Sequence, residues 1–404
     1  MTPRKCHLGG VDSRSRRWRP RWLLMAAAGS LVAVLAACSS LRYVTQTAIG
    51  GVAILCKRQP IEKVLRRGGV DHERRRQLEL VLEIREFAVR ELGLPDNRSY
   101  RSYVELGRDV VTWNVTAAPE LSVEPVTWCF PIAGCVSYRG YFAERRARAF
   151  AEQLRRRGLD VTISGAIAYS TLGWFADPVL DTFFRYPDWQ LAGLVFHELS
   201  HQVVYLPGDT TFNESFATAV EELGVERWLA ARAGDDEVAA ADVARREERV
   251  FLERLLHTRA CLDEVYRGAF SEGSKRERKA ILLEDLRAEL ALLRASGELG
   301  ARFDPWLQRA PNNADLAAAA DYESLVPAFR RLFERAGGFD ELYREVQELS
   351  RLETEERASR LESLSPREPA VGRPCPSSVQ AAVLRGATGA RASPGTAPRD
   401  PGSR

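Results

Sequence analysis

Between Leu191 and Glu222 the chain reads LAGLVFHELSHQVVYLPGDTTFNESFATAVEE, and within it His197, Glu198 and His201 form an H-E-x-x-H pattern. The surrounding apolar residues, Trp189, Leu191, Leu194, Val195, Phe196, Leu199, Val203 and Val204, cover most of a helix circumference, which suits only a buried helix. Such a helix must find partners inside the protein for its two histidines and its glutamate. Residues four apart share a helix face, so His197 and His201 can offer imidazole nitrogens to one metal ion. Glu198 then sits beside the ion rather than on it, where a general base for an activated water is needed. The alternative, two core histidines bonded to backbone, leaves three polar groups poorly matched. Asp188 is expected to cap this helix.

A tetrahedral catalytic zinc takes three protein ligands and leaves a fourth position for water. Pro207 and Gly208 break the first helix, and a second is expected from Thr211 to Trp228. Glu214 lies in its first turn and faces back toward the histidines if the helices form a hairpin, which makes it the expected third ligand. Thr211 and Glu214 also fit an S/T-x-x-E capping box, in which the glutamate merely closes the helix end. Glu221, two turns further on the same face, is a reserve ligand or the partner of an imidazole N–H, and Asp209 is the other candidate for that support. Either acid could instead hold the α-amino group of a peptide. The oxyanion of an attacked carbonyl needs a further donor, for which Tyr322 and Tyr205 are candidates, with Tyr138 and Tyr141 beside them.

The N-terminus reads as a processing signal, residues 1–37. Arg14, Arg16, Arg17, Arg19 and Arg21 precede an apolar stretch from Trp22 to Ala37 that is short of the roughly 20 residues a spanning helix needs. Leu35-Ala36-Ala37-Cys38 resembles a bacterial lipobox, in which Cys38 is acylated and becomes the mature N-terminus; an uncleaved anchor helix is the alternative. Both place the chain at a lipid bilayer in the cell envelope, and Ser39 after the cysteine points to the outer membrane, facing the periplasm. The whole-chain charge of +3 resides in the leader, whose +6 leaves a mature chain of −3, so the basic balance makes no case for nucleic acid. Seven cysteines become five once Cys6 is removed and Cys38 is lipidated. Cys129 and Cys135 flank a tight loop and can bridge in an oxidising compartment or remain thiols, while Cys56, Cys261 and Cys375 have no evident partner.

Residues 38–60 read as a tether with a short apolar helix at Ala48–Leu55, and residues 61–364 as the working domain, with sheet and site in 61–233 and helices in 234–364. Helices are expected at Asp71–Leu92, Ala143–Arg157, Val225–Ala233, Glu237–Phe270, Lys275–Ala295, Tyr322–Ala336 and Phe339–Leu364. Strands are expected at Tyr103–Leu106, Val110–Val115, Val126–Phe130 and Val161–Tyr169. The stretch Ile163–Trp174 is placed as either a substrate-pairing edge strand or a core strand and loop. Residues 365–404, rich in Pro, Gly, Ser, Ala and Arg, are expected to be disordered.

Several long segments in order carry a resemblance: FHELSHQ (Phe196–Gln202), GDTTFNESFA (Gly208–Ala217), WCFPIAGCVSYRGYF (Trp128–Phe142) and YSTLGWFADP (Tyr169–Pro178), with Asn312-Asn313-Ala314 and Tyr322 beyond them. Together they resemble a bacterial family of zinc aminopeptidases, many of them lipoproteins, over Cys38 to about Leu364. The resemblance implies Zn2+ on His197, His201 and Glu214, with Glu198 catalytic and a peptide as substrate. The expected fold is α+β and zincin-like, with a small β-sheet packed on metal-bearing helices followed by a mostly helical C-terminal region. Two other functions stay open: a zinc hydrolase of a non-peptide bond, and a non-enzymatic envelope lipoprotein scaffold with a structural metal.

Overall fold

The computed structural model describes residues 43, 45–130, 133–171, 173–232, 234–364 and 375. The chain divides into residues 1–50 and 51–404. In the first unit residues 43 and 45–50 are described, all helical; the signal segment and Cys38 lie outside the described residues. So does the expected disordered tail, apart from Cys375. The second unit has a mixed α+β fold, the chain being 64% helical with small sheets.

Residues 51–57 are helical and lead into β1 (Gln59–Pro60) and α1 (Ile61–Arg67). Next, α2 (His72–Leu92) begins at Asp71, whose side chain accepts the Arg74 N–H at 2.8 Å. It ends at Gly93, which takes the left-handed conformation (φ 62°) that only glycine adopts without strain. The strand β2 (Ser102–Val104) pairs antiparallel with β1 and parallel with β8 (Val179–Leu180). A second sheet has β3 (Thr112–Pro119) between β6 (Tyr138–Tyr141) and β7 (Leu159–Ala166), both antiparallel to it. The helix α3 (Glu144–Arg155) covers this sheet with Ala147, Ala151 and Leu154, buried at helical spacing, and turns its arginines to solvent. Among the described residues β7 pairs with β3 alone and so stands at an edge of that sheet, and the regular strand stops at Ala166.

The short strands β4 (Trp128–Phe130) and β5 (Gly134–Val136) form a hairpin closed by a Cys129–Cys135 disulfide. Gly134, at φ 73°, lies against the backbone of Pro207 and Gly208; a Cβ there would come within 2.3 Å of the Gly208 nitrogen. The Gly208 N–H donates to the Ala133 carbonyl at 3.1 Å. The disulfide hairpin therefore buttresses the turn between the two helices of the H-E-x-x-H region.

Those helices are α4 (Asp188–Ser200) and α5 (Thr210–Arg232), packed as an antiparallel pair. A close approach of two helices needs small residues at the contact. Gly224 supplies one: a Cβ there would stand 2.7 Å from Phe196 and 2.9 Å from Leu92, so α2, α4 and α5 meet at a glycine. Around it Phe87, Phe196 and Trp228 pack ring on ring, with Phe87 and Trp228 centroids 5.0 Å apart.

Beyond α5 the chain is helical: α6 (Asp235–Arg267), α7 (Glu272–Ser296), α8 (Asp304–Leu307), α9 (Asn313–Glu323), α10 (Val326–Ala336), α11 (Phe339–Ser350) and α12 (Thr354–Leu364). The main apolar core runs through α2, α4, α5, α10 and α11, while a second one lies between α6 and α7. Cys261 of α6 and Cys375 are bridged, a pairing the sequence leaves unassigned because 114 residues separate them.

Several boundaries differ from the sequence reading. The expected Val225–Ala233 helix continues α5 without a break, and Tyr322–Ala336 is two helices, because Pro327 can follow a fresh helix start but not a helix interior. Phe339–Leu364 is also two helices, parted at 351–353. Asp188 does not cap α4: it is the first helical residue after Pro187, and its carboxylate pairs with Arg76 of α2 at 2.7 Å.

Candidate metal centre

His197 and His201 project from the end of α4, where His201 closes the last turn. Their rings are 5.0 Å apart and nearly perpendicular, at 82°. The chain then turns at Pro207 and Gly208, and Asn213 holds the turn. Its side-chain oxygen accepts the Leu206 N–H and its amide donates to the Leu206 carbonyl, each at 2.8 Å. With the turn held so, the first turns of α5 bring Glu214 back to the histidines. One carboxylate oxygen of Glu214 lies 3.4 Å from His197 Nε2 and 3.7 Å from His201 Nε2. Ligand atoms of the three residues all lie within 4.8 Å of one another. Four atoms arranged tetrahedrally about an ion at 2.0–2.1 Å stand about 3.3 Å apart, so this cluster can hold a metal ion.

The unbonded state of His201 supports that assignment. Among the described residues its Nδ1 has no hydrogen-bond partner, and 3.7 Å from Nε2 to Glu214 is beyond hydrogen-bond reach. A buried imidazole left so costs free energy unless a cation takes a nitrogen. His197 is fixed from behind: its Nδ1 is 3.0 Å from Glu221 of α5, which sets the ring with Nε2 toward Glu214. Gly193, one turn before His197, makes room for this, since a Cβ there would stand 3.1 Å from Glu221.

The capping role that Thr211 and Glu214 could have shared falls to other groups. Asp209 accepts the Phe212 N–H at 3.0 Å, and the Thr211 hydroxyl donates to Asp321 at 3.1 Å. The second oxygen of Asp209 is held by Arg357 at 2.9 Å, so this acid is engaged at the end of α5 and not at the histidines. Among the tyrosines, Tyr205 is 6.3 Å from His201 ring to ring and its hydroxyl donates to the Ala133 carbonyl at 3.4 Å. Tyr322 of α9 is 38% exposed, and the Glu214 charge is the strongest influence on its phenol, raising its pKa well above the ordinary value. Tyr138 adds to that rise, and Tyr141 is buried against Phe150 of α3.

Glu198 is buried, and burial pushes its carboxyl up to about 7, against the opposing pull of His197. Glu214, Asp177 and Glu221 push it the same way as burial. Asp177 lies within YSTLGWFADP, where nothing marks it as a site residue, and its neighbour Tyr100 lies in no motif. Asp177 accepts from the Thr171 N–H and hydroxyl, and its own carbonyl accepts the Tyr100 N–H at 2.6 Å. Tyr100 is 1% exposed, and among the described residues it alone outside glycine has positive φ, at 61°. Strain of this kind in a large side chain collects at functional sites. Burial, followed by the Glu198 charge, raises its phenol.

The histidines differ in protonation. Burial, aided by the His197 charge and opposed by Glu214, holds His201 down to about 4, so its imidazole is neutral, the form that can coordinate. Burial also opposes a charge on His197, but bonds to Glu214 and Glu221 together outweigh it and hold its pKa well above the ordinary value. A metal ion must therefore displace about one proton on binding at pH 7, chiefly from His197. Affinity is expected to rise roughly tenfold per pH unit below that pKa. Calorimetric zinc titrations in buffers of different protonation enthalpy measure the proton directly; zero release would contradict this assignment.

Neither a curated protein nor a solved structure matches the chain. Residues 42–361, which include every residue of the cluster, match the family model described as “Putative aminopeptidase”. The chain thus belongs to that aminopeptidase family, and its function at family level is peptidase-like hydrolysis.

Proposed function

We propose that this protein is a membrane-tethered zinc metallopeptidase of the cell envelope, acting as an aminopeptidase with Glu198 as general base. The observation that carries the reading is the cluster of His197, His201 and Glu214, the last two buried, with Glu198 next along the same helix. Two imidazoles and one carboxylate are a donor set suited to zinc. Such an ion, when bound, supplies a polarised carbonyl and a water acidified to a pKa of about 7. The helix pair with its small sheets is read as zincin-like by analogy.

The chain's own residues carry the rest of the chemistry. Glu198 takes a proton from the attacking water and returns it to the leaving nitrogen, work that a carboxyl poised near neutral pH does well. Glu221 keeps the His197 ring oriented and its Nδ1 occupied. Tyr322 stays protonated at neutral pH and can donate a hydrogen bond to the developing oxyanion. Acylation of Cys38 would hold this site at the outer membrane, facing the periplasm. The mature charge of −3 favours no nucleic-acid partner.

The test uses the soluble chain from Ser39 with matched peptides that have free or acetylated N-termini. Free peptides are expected to be cleaved, with activity lost on chelation and restored by zinc. Equal cleavage of acetylated peptides would turn the reading to an endopeptidase. A zinc-loaded chain that cleaves neither would overturn it.

A further inference from the structure

Asp321 is a buried carboxylate in α9 that the proposed chemistry does not use. Its two oxygens are held by two distant parts of the fold. One accepts the Ser137 hydroxyl, between β5 and β6, at 2.5 Å; the other accepts the Thr211 hydroxyl, three residues before Glu214, at 3.1 Å. The backbone is tied at the same place. The Ser215 hydroxyl donates to the Asp321 carbonyl at 3.4 Å and accepts the Leu325 N–H at 3.3 Å. The segment 321–325 is thereby fastened to α5 on both sides of Glu214, with Tyr322 inside the fastened stretch. Resting on the peptidase reading, we propose that Asp321 is a positioning residue that sets Tyr322 beside Glu214, where the carbonyl oxygen of a bound peptide gains negative charge.

Burying a carboxylate between two neutral hydroxyls is costly compared with an apolar contact. A tie needed only for folding could be made more cheaply, whereas placement of a donor to a fraction of an ångström rewards a rigid acceptor. A purely structural role for Asp321 predicts lower stability with no coupling to Tyr322. A positioning role predicts that the two residues act as one.

The experiment is a double-mutant cycle in the full-length chain: Asp321→Ala, Tyr322→Phe and both together, with Asp321→Asn as the milder change should the alanine variant fail to fold. Metal content, kcat and KM on a free-amino peptide, and affinity for a phosphinic peptide that mimics the tetrahedral oxyanion are measured for each. Asp321→Ala is expected to keep its metal, to lower kcat by about 10- to 100-fold, and to weaken phosphinate binding to a similar degree, with KM changed less than about twofold. In the Tyr322→Phe background the same change should add less than about twofold. Effects that multiply, or a loss confined to KM, would overturn the proposal. If the parent binds phosphinate yet cleaves no peptide, the peptidase reading fails while the cycle on phosphinate affinity still decides the role of Asp321. A metal-loaded parent that does neither overturns both.

Discussion

Glu198→Gln is expected to lower kcat for peptide cleavage by about 10²- to 10⁴-fold, the range that loss of a general base produces, while the protein keeps its metal and its fold. The amide is close in shape and fills the same buried place, so packing is preserved. What it loses is the ability to take a proton. Burial and the nearby charges of Glu214, Asp177 and Glu221 hold the parent carboxyl at about 7, so its deprotonated fraction grows as pH rises through that value. The parent's rate should accordingly rise with pH up to about neutrality, and the residual activity of Glu198→Gln should lack that limb. Measuring kcat against pH for both proteins, with bound metal counted in each sample, checks this. A glutamine variant as active as the parent would remove Glu198 from the mechanism.

Glu214→Ala should lose both metal and cleavage. The cluster has three donors, and removing Glu214 leaves two imidazoles on one helix turn, with no carboxylate among the donors to balance a dication. A helpful comparison is Glu221→Gln, which leaves the donors intact and disturbs only the hydrogen bond behind His197. Loss of such a supporting carboxylate typically costs about 10- to 100-fold in metal affinity, and Glu214→Ala should exceed it. In the metal-free protein Glu214 is also the anion beside the half-buried His197 and the buried His201, and its removal leaves His197 with Glu221 alone. Titration of each variant with zinc against a competing chelator gives the ratio. Affinity in Glu214→Ala within about threefold of the parent would mean that another group is the third ligand.

The parts legible in the sequence are those whose geometry is local. His197 and His201 share a face because a helix repeats every 3.6 residues, and the all-round apolar character of α4 requires its burial. The amphipathic spacing of α2 and α3, and the Asp71 and Gly93 ends of α2, follow from the same short-range rules. Short-range rules also mislead where two of them compete. Thr211 and Glu214 satisfy a capping box as well as a ligand spacing, and only the placement of Asp209 on the Phe212 N–H shows that the cap is made elsewhere. Asp188 looks like a cap and is instead drawn to Arg76, 112 residues away.

By itself the sequence determines which residues can act as donors and that two of them must lie on one buried helix, because backbone periodicity decides both. Tertiary structure alone decides the rest. The glycine contacts at Gly193 and Gly224 let α4, α5 and α2 close up until Glu214 and Glu221 reach the histidines. The same packing takes Asp209 away to Arg357, puts strained Tyr100 within reach of the Glu198 charge, and ties the segment that holds Tyr322 to α5. It also joins Cys261 to Cys375. Each of these depends on contacts between residues far apart along the chain, and no periodicity in the sequence encodes such distances.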